Sequence, residues 1–155
     1  MINILAPDVG TIVACRFPDS KSPTVIGEKF RPCLVLEVLK RIDKPEIDLL
    51  LCYGTGQTSD CNKGDIPKAA IEIEKTPNNS LPETTRFDLK NITVIPLIDG
   101  FFANYKCTNS RFTVLAKLSK EQLELVSEKI VTSNINMELI PRPKTTVIDR
   151  RIKRL

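Results

Sequence analysis

Apolar residues along this chain fall in short runs separated by polar stretches rich in Pro, Gly, Asn and Asp, a rhythm that predicts strands more than helices. Residues 11–17, TIVACRF, form a β-rich run entered through the turn chemistry of Pro7, Asp8, Val9 and Gly10. Residues 18–30 are polar and broken by Pro23 and Gly27, and read as a long connecting loop. Residues 33–39, CLVLEVL, are apolar enough for a central strand buried on both faces. Asp43 and Pro45 make residues 41–46 a hairpin turn, residues 47–53 are the returning strand, and Gly54-Thr55-Gly56 stops it. Residues 57–66 read as loop, 69–74 (AAIEIE) as a short apolar run, and 75–84 as an irregular turn. Residues 85–89 lead into a strand at 92–98, where Pro96 marks an edge or a bulge. Residues 101–105 and 111–118 are weaker candidates for the last strands.

One helix is clear. Ser119 followed by Gln122 fits a capping box, and Leu123, Val126 and Ile130 then recur at helical spacing, with Leu125 adding to the stripe. Its end is expected near residues 132–134. Short strands, irregular loops and one C-terminal helix predict a mainly β fold with minor α, a small SH3-like barrel with the helix packed against it. The barrel domain is assigned to residues 1–132, and residues 133–155 to a C-terminal extension with a basic tail.

Bulk properties narrow the function. At 155 residues the chain suits one domain. The apolar start is ended by Pro7, Asp8 and Gly10, so no export segment is expected. No run approaches the roughly 20 apolar residues that span a bilayer, so a soluble, cytoplasmic protein with no membrane partner is expected. The five cysteines (Cys15, Cys33, Cys52, Cys61, Cys107) lack CxxC spacing, and three sit in apolar runs; they read as reduced core thiols, not a disulfide frame or a metal site. The absence of histidine excludes Ser-His-Asp and Cys-His chemistry and any histidine general base. The net charge of +4 is unevenly spread: residues 141–155 carry a net +5, leaving the other 140 residues at −1. Such a tail either attracts phosphate backbones or is a solvated arm.

Two short motifs can carry chemistry. Arg31, in Phe30-Arg31-Pro32, precedes the most apolar run, where proline rigidifies the backbone and a guanidinium offers a fork of donors suited to phosphate. Thr55, flanked by Gly54 and Gly56, exposes a hydroxyl at a strand end where glycines admit a close approach. An arginine opening one strand and a threonine closing the next can meet at the same end of a hairpin. Taken singly, each also reads as a surface arginine or as plain turn chemistry.

In this order the motifs PDVGTIVACRF, KFRPCLVLEV, LLCYGTGQ and RFTVLAKLSKEQLELVSEKI resemble the MazF/PemK toxin family over roughly residues 8–132. The resemblance implies a CcdB/MazF-type barrel and a toxin of a toxin–antitoxin system, acting as a cofactor-free, metal-independent endoribonuclease (a hydrolase) on single-stranded RNA. Arg31 then matches the catalytic arginine and Thr55 the catalytic threonine; on this hypothesis Lys29, Gln57 or Arg86 contacts phosphates nearby. Attack of the ribose 2′-hydroxyl would leave a 2′,3′-cyclic phosphate and a 5′-hydroxyl, with Arg31 stabilising the phosphorane. The resemblance also implies a homodimer and a cognate antitoxin as partners. Residues 72–90 are longer than in a minimal member, and residues 133–155 extend beyond its helix. Two other readings are a non-catalytic SH3-like binding module and a domain whose basic tail is the working part.

Overall fold

The computed structural model describes residues 6–18, 26–41, 45–56, 68–102 and 111–140, and the backbone of residues 146–151. The fold is mainly β. In chain order its elements are β1 (Thr11–Cys15), β2 (Arg31–Arg41), β3 (Ile47–Thr55), β4 (Ala70–Ile73), β5 (Thr85–Pro96), α1 (Asp99–Phe102), β6 (Val114–Lys117), α2 (Lys120–Thr132), a 3₁₀ turn (Met137–Leu139) and β7 (Thr146–Arg151). The strands lie in the order β4-β5-β3-β2-β1-β6, every neighbour antiparallel, and the sheet curls into a half-barrel.

The central strands are the two most apolar runs, and alternation along them feeds two cores. Leu34, Leu36, Leu50 and Cys52 face one core with Phe87, Leu115, Val126 and Ile130. Cys33, Val35, Leu49 and Leu51 face the other with Ile95, Phe101, Phe102 and Phe112. The first core lies under α2, which is laid down by its capping box: Ser119 Oγ accepts from Gln122 N at 3.2 Å, and Gln122 Oε1 accepts from Ser119 N at 2.8 Å. Val126 and Ile130 are buried to 0% and 2% exposure, each contributing about 1.5–3 kcal/mol. Lys129 also reaches across to donate to Ala70 O in β4, tying helix to sheet.

Several expectations are corrected. Leu125 is exposed: it sits on the far side of α2 from Val126 and Ile130, because one residue turns a helix by about 100°. Phe101 and Phe102 belong to a helical turn and not to a strand, while residues 103–105 lie outside the described residues. Both rings are buried in the same core, which a strand cannot do with adjacent residues. The pieces at 85–89 and 92–98 are one strand, β5, ending at Pro96. Pro96 lies beyond the stretch that β4 covers, which ends the conflict between proline and the ladder.

The C-terminal extension is built in part onto the sheet. Met137 is buried in the core under α2, and the backbone of β7 pairs with residues 37–41 of β2, past the stretch that β1 occupies. No helix of the described residues is long and apolar enough to cross a membrane.

Candidate active site

β2 and β3 are antiparallel with Cys33 opposite Tyr53, so the same register carried two residues outward sets Arg31 across from Thr55. On the other side of β3, Thr55 pairs directly with Arg86 of β5, and Arg86 pairs with Glu72 of β4. On the far side of β2, Arg31 pairs with Cys15 of β1. Opposed residues in antiparallel strands share a face. One row therefore crosses the sheet at a single end: Cys15, Arg31, Thr55, Arg86, Glu72. It lies on the face away from α2, since Cys15 and Cys33 belong to the second core.

Tyr53, two residues before Thr55 and so on the same face, orients the arginine. Arg31 Nη1 donates to Tyr53 Oη at 2.8 Å, and the guanidinium carbon lies 5.3 Å from the ring centre. Phe17 backs the tyrosine with ring centres 5.4 Å apart. Arg31 is half-buried, so its charge is held in a partly desolvated place where it acts more strongly on an anion than it would in bulk water. Arg86 pairs with Glu72 at 3.3 Å, their side chains 11% and 22% exposed. Arg16 stacks over Phe30 at 4.8 Å; each is one residue removed from the row, which sets them on the opposite face.

Glycine at 54 is a packing requirement. A Cβ there would lie 2.6 Å from Phe87 Cε1, 2.6 Å from Thr85 Cγ2 and 2.9 Å from Pro32 O. Glycine at 56 admits the Glu83 carboxylate, which occupies the space a Cβ would take. Beneath the row, burial pushes the thiols of Cys33 and Cys52 well above their ordinary range, and the hydrogen bond between Cys33 and Cys15 adds to the effect at Cys33. Cys15, Cys33 and Cys52 are free and buried, while Cys61 and Cys107 lie outside the described residues.

Of the residues singled out from sequence, Thr55 and Arg86 are direct ladder partners, and Arg31 starts the neighbouring strand at the same end. Lys29 is exposed just before β2, and Gln57 lies outside the described residues. Sequence reasoning missed Tyr53, Glu72 and Glu83. Tyr53 was reachable from the period-two rule; the other two depend on how β4 and the turn before β5 fold back. A wider groove of 690 Å³ opens between β4 and β6, lined in part by Glu72, Glu74, Asn78, Asn79, Lys117 and Gln122. Its lining mixes Glu72 and Glu74 with Lys117, whereas at the Arg31 end a guanidinium is oriented by Tyr53. Among the described residues no three His, Cys, Asp or Glu side chains converge as a metal site would need.

The chain matches no protein-family model and no curated protein sequence, so the MazF/PemK resemblance rests on the order of its motifs.

Proposed function

We propose that this protein is a MazF/PemK-like endoribonuclease that cleaves single-stranded RNA without a metal, on a half-barrel of the SH3-like, CcdB/MazF type. The observation that carries the reading is that β2 begins at Arg31 and the antiparallel β3 ends at Thr55, so both lie at one end of the pair, with the Arg31 guanidinium donating to Tyr53 Oη. Cleavage by the neighbouring 2′-hydroxyl gathers negative charge on the phosphorane oxygens, and a preorganised guanidinium lowers that barrier. The Thr55 hydroxyl orients the phosphate. Arg86, neutralised in part by Glu72, sets the flank of the site and holds the end of β3. On this reading the protein works in the cytoplasm as a homodimer, and a cognate antitoxin silences it by covering the site.

The test is incubation of the purified protein with a long single-stranded RNA in excess EDTA, followed by analysis of fragment ends. Discrete fragments with 2′,3′-cyclic phosphate and 5′-hydroxyl termini are the expected result. RNA that is bound but left intact by folded protein would replace this reading with a non-catalytic binding module. Light scattering at micromolar concentration tests the homodimer, which requires twice the 17.4 kDa chain mass.

A further inference from the structure

Attack by a 2′-hydroxyl expels the 5′-oxygen, which is a poor leaving group unless a proton reaches it as the bond breaks. Few described groups at the Arg31 end hold a proton they can give. The guanidinium groups of Arg31 and Arg86 keep theirs, and the Thr55 hydroxyl is too weak an acid. Lys29, exposed ahead of β2, is a solvated ammonium on a long flexible stem. The thiols of Cys15 and Cys33 are fully buried in the core. The chain has no histidine. The phenol of Tyr53 remains.

Three contacts place that phenol beside the Arg31 fork. Tyr53 Oη accepts from Arg31 Nη1 at 2.8 Å, so a phosphate held by the other Arg31 donors lies within its reach. The guanidinium carbon stands 5.3 Å from the Tyr53 ring centre, and Phe17 packs on the same ring with centres 5.4 Å apart. Two neighbours therefore hold the ring in place. Tyr53 Oη accepts from Arg31, and its own O–H is donated to no described residue. Tyr53 is half-buried, so a substrate can reach that proton. The hydrogen bond from Arg31 also strengthens once the phenol has given its proton away, because the acceptor then carries charge.

We propose that Tyr53 is the general acid of this centre, an inference that rests on the ribonuclease reading above. As the 2′-oxygen bonds to phosphorus, its proton passes to water. The bond from phosphorus to the 5′-oxygen breaks, and Tyr53 Oη hands its proton to that oxygen. The phenolate, held by Arg31, takes a proton back from water, leaving the cyclic phosphate and the 5′-hydroxyl.

Single-turnover cleavage in EDTA by wild type and Tyr53→Phe tests this on two RNAs that differ in one bridging atom. One carries the ordinary 5′-oxygen at the cut. The other carries a 5′-sulfur, which leaves as a thiolate and needs no acid. Phenylalanine keeps the ring and its packing on Phe17 and removes only the hydroxyl. Tyr53→Phe is expected to slow cleavage of the oxygen-linked RNA about a hundredfold or more, and to cut the sulfur-linked RNA within threefold of wild type. An equal loss on both RNAs makes Tyr53 a positioning group for Arg31 and overturns the proposal. A Phe variant within threefold of wild type on the oxygen-linked RNA removes Tyr53 and leaves the ribonuclease reading standing. Wild type alone gives a check that does not depend on the variant folding. Its rate should fall in D2O on the oxygen-linked RNA and hold on the sulfur-linked one, and equal rates in the two solvents on both RNAs would overturn the proposal. Wild type that cuts neither RNA overturns both readings.

Discussion

Gly54→Ala is a one-carbon change with a cost that can be worked from the packing. The added Cβ would sit 2.6 Å from the Phe87 ring, 2.6 Å from Thr85 Cγ2 and 2.9 Å from Pro32 O. None of these can step aside easily. Phe87 is fully buried, Thr85 is 1% exposed and bonded through Oγ1 to Glu83 O, and Pro32 is fixed in β2. Overpacking of this kind costs about 1–3 kcal/mol. Replacing a strand glycine by alanine returns roughly 0.5–1 kcal/mol, because the unfolded chain has less freedom to lose. With three contacts below 3.0 Å the upper part of the overpacking range applies, about 2–3 kcal/mol, so the net expectation is a destabilisation of about 1–2.5 kcal/mol and a fall in Tm of about 2–4 °C for each kcal/mol in a domain this size. Urea unfolding at unchanged slope is the assay. A double variant with Phe87→Leu should lose less than the sum of the two single losses, since the smaller side chain makes room. An alanine variant as stable as wild type would refute the close approach of β2, β3 and β5 on which the site is built.

Other expectations follow from the same structure. Ser119→Ala removes the cap of α2 and should cost about 1 kcal/mol in urea unfolding; no change would mean the helix is held by packing alone. Burial raises the folded-state pKa of Cys33 and Cys52, so the unfolded chain loses those protons first. Stability is then complete below the ordinary thiol range, about 8.5, and falls as pH rises through it, which thermal melts at stepped pH will show. Iodoacetamide should leave the peptides bearing these two cysteines unmodified in native protein; labelling at the unfolded rate would contradict their burial. Deleting residues 141–155 removes β7 from β2, where Glu37 is buried and stands opposite Arg151 in the ladder. Faster amide exchange in residues 37–41 and lower stability are expected, with the cleavage rate at saturating RNA unchanged. A lost rate would instead make the tail part of the site.

What could be read from sequence was what neighbours within a few residues decide. The capping box at Ser119 and Gln122 was legible because both partners lie within one turn of helix. The runs forming β2 and β3 were legible because burial on both faces leaves an unbroken apolar signal. The hairpin between them then forces Arg31 and Thr55 to one end, whatever the loop does. Less local facts were hidden. The pairing of Thr55 with Arg86 depends on a register shift between Cys52 and Gly54 that leaves extra residues in β5. Glu83 reaches Gly56 only because the turn after β4 folds back over the end of β3. Phe101 looked strand-like by composition, yet two adjacent buried rings called for a helical turn. Leu125 was drawn into the apolar stripe by its residue type, although its angle on the helix points it to solvent.

The most direct measurement is the single-turnover rate of Arg31→Ala against wild type on one single-stranded RNA in EDTA, with urea unfolding of both proteins in parallel. The account predicts a rate lower by about a hundredfold to a thousandfold, in a variant that still unfolds cooperatively, since Arg31 sits at the rim and not in either core. Cleavage by the folded variant at the wild-type rate would contradict it.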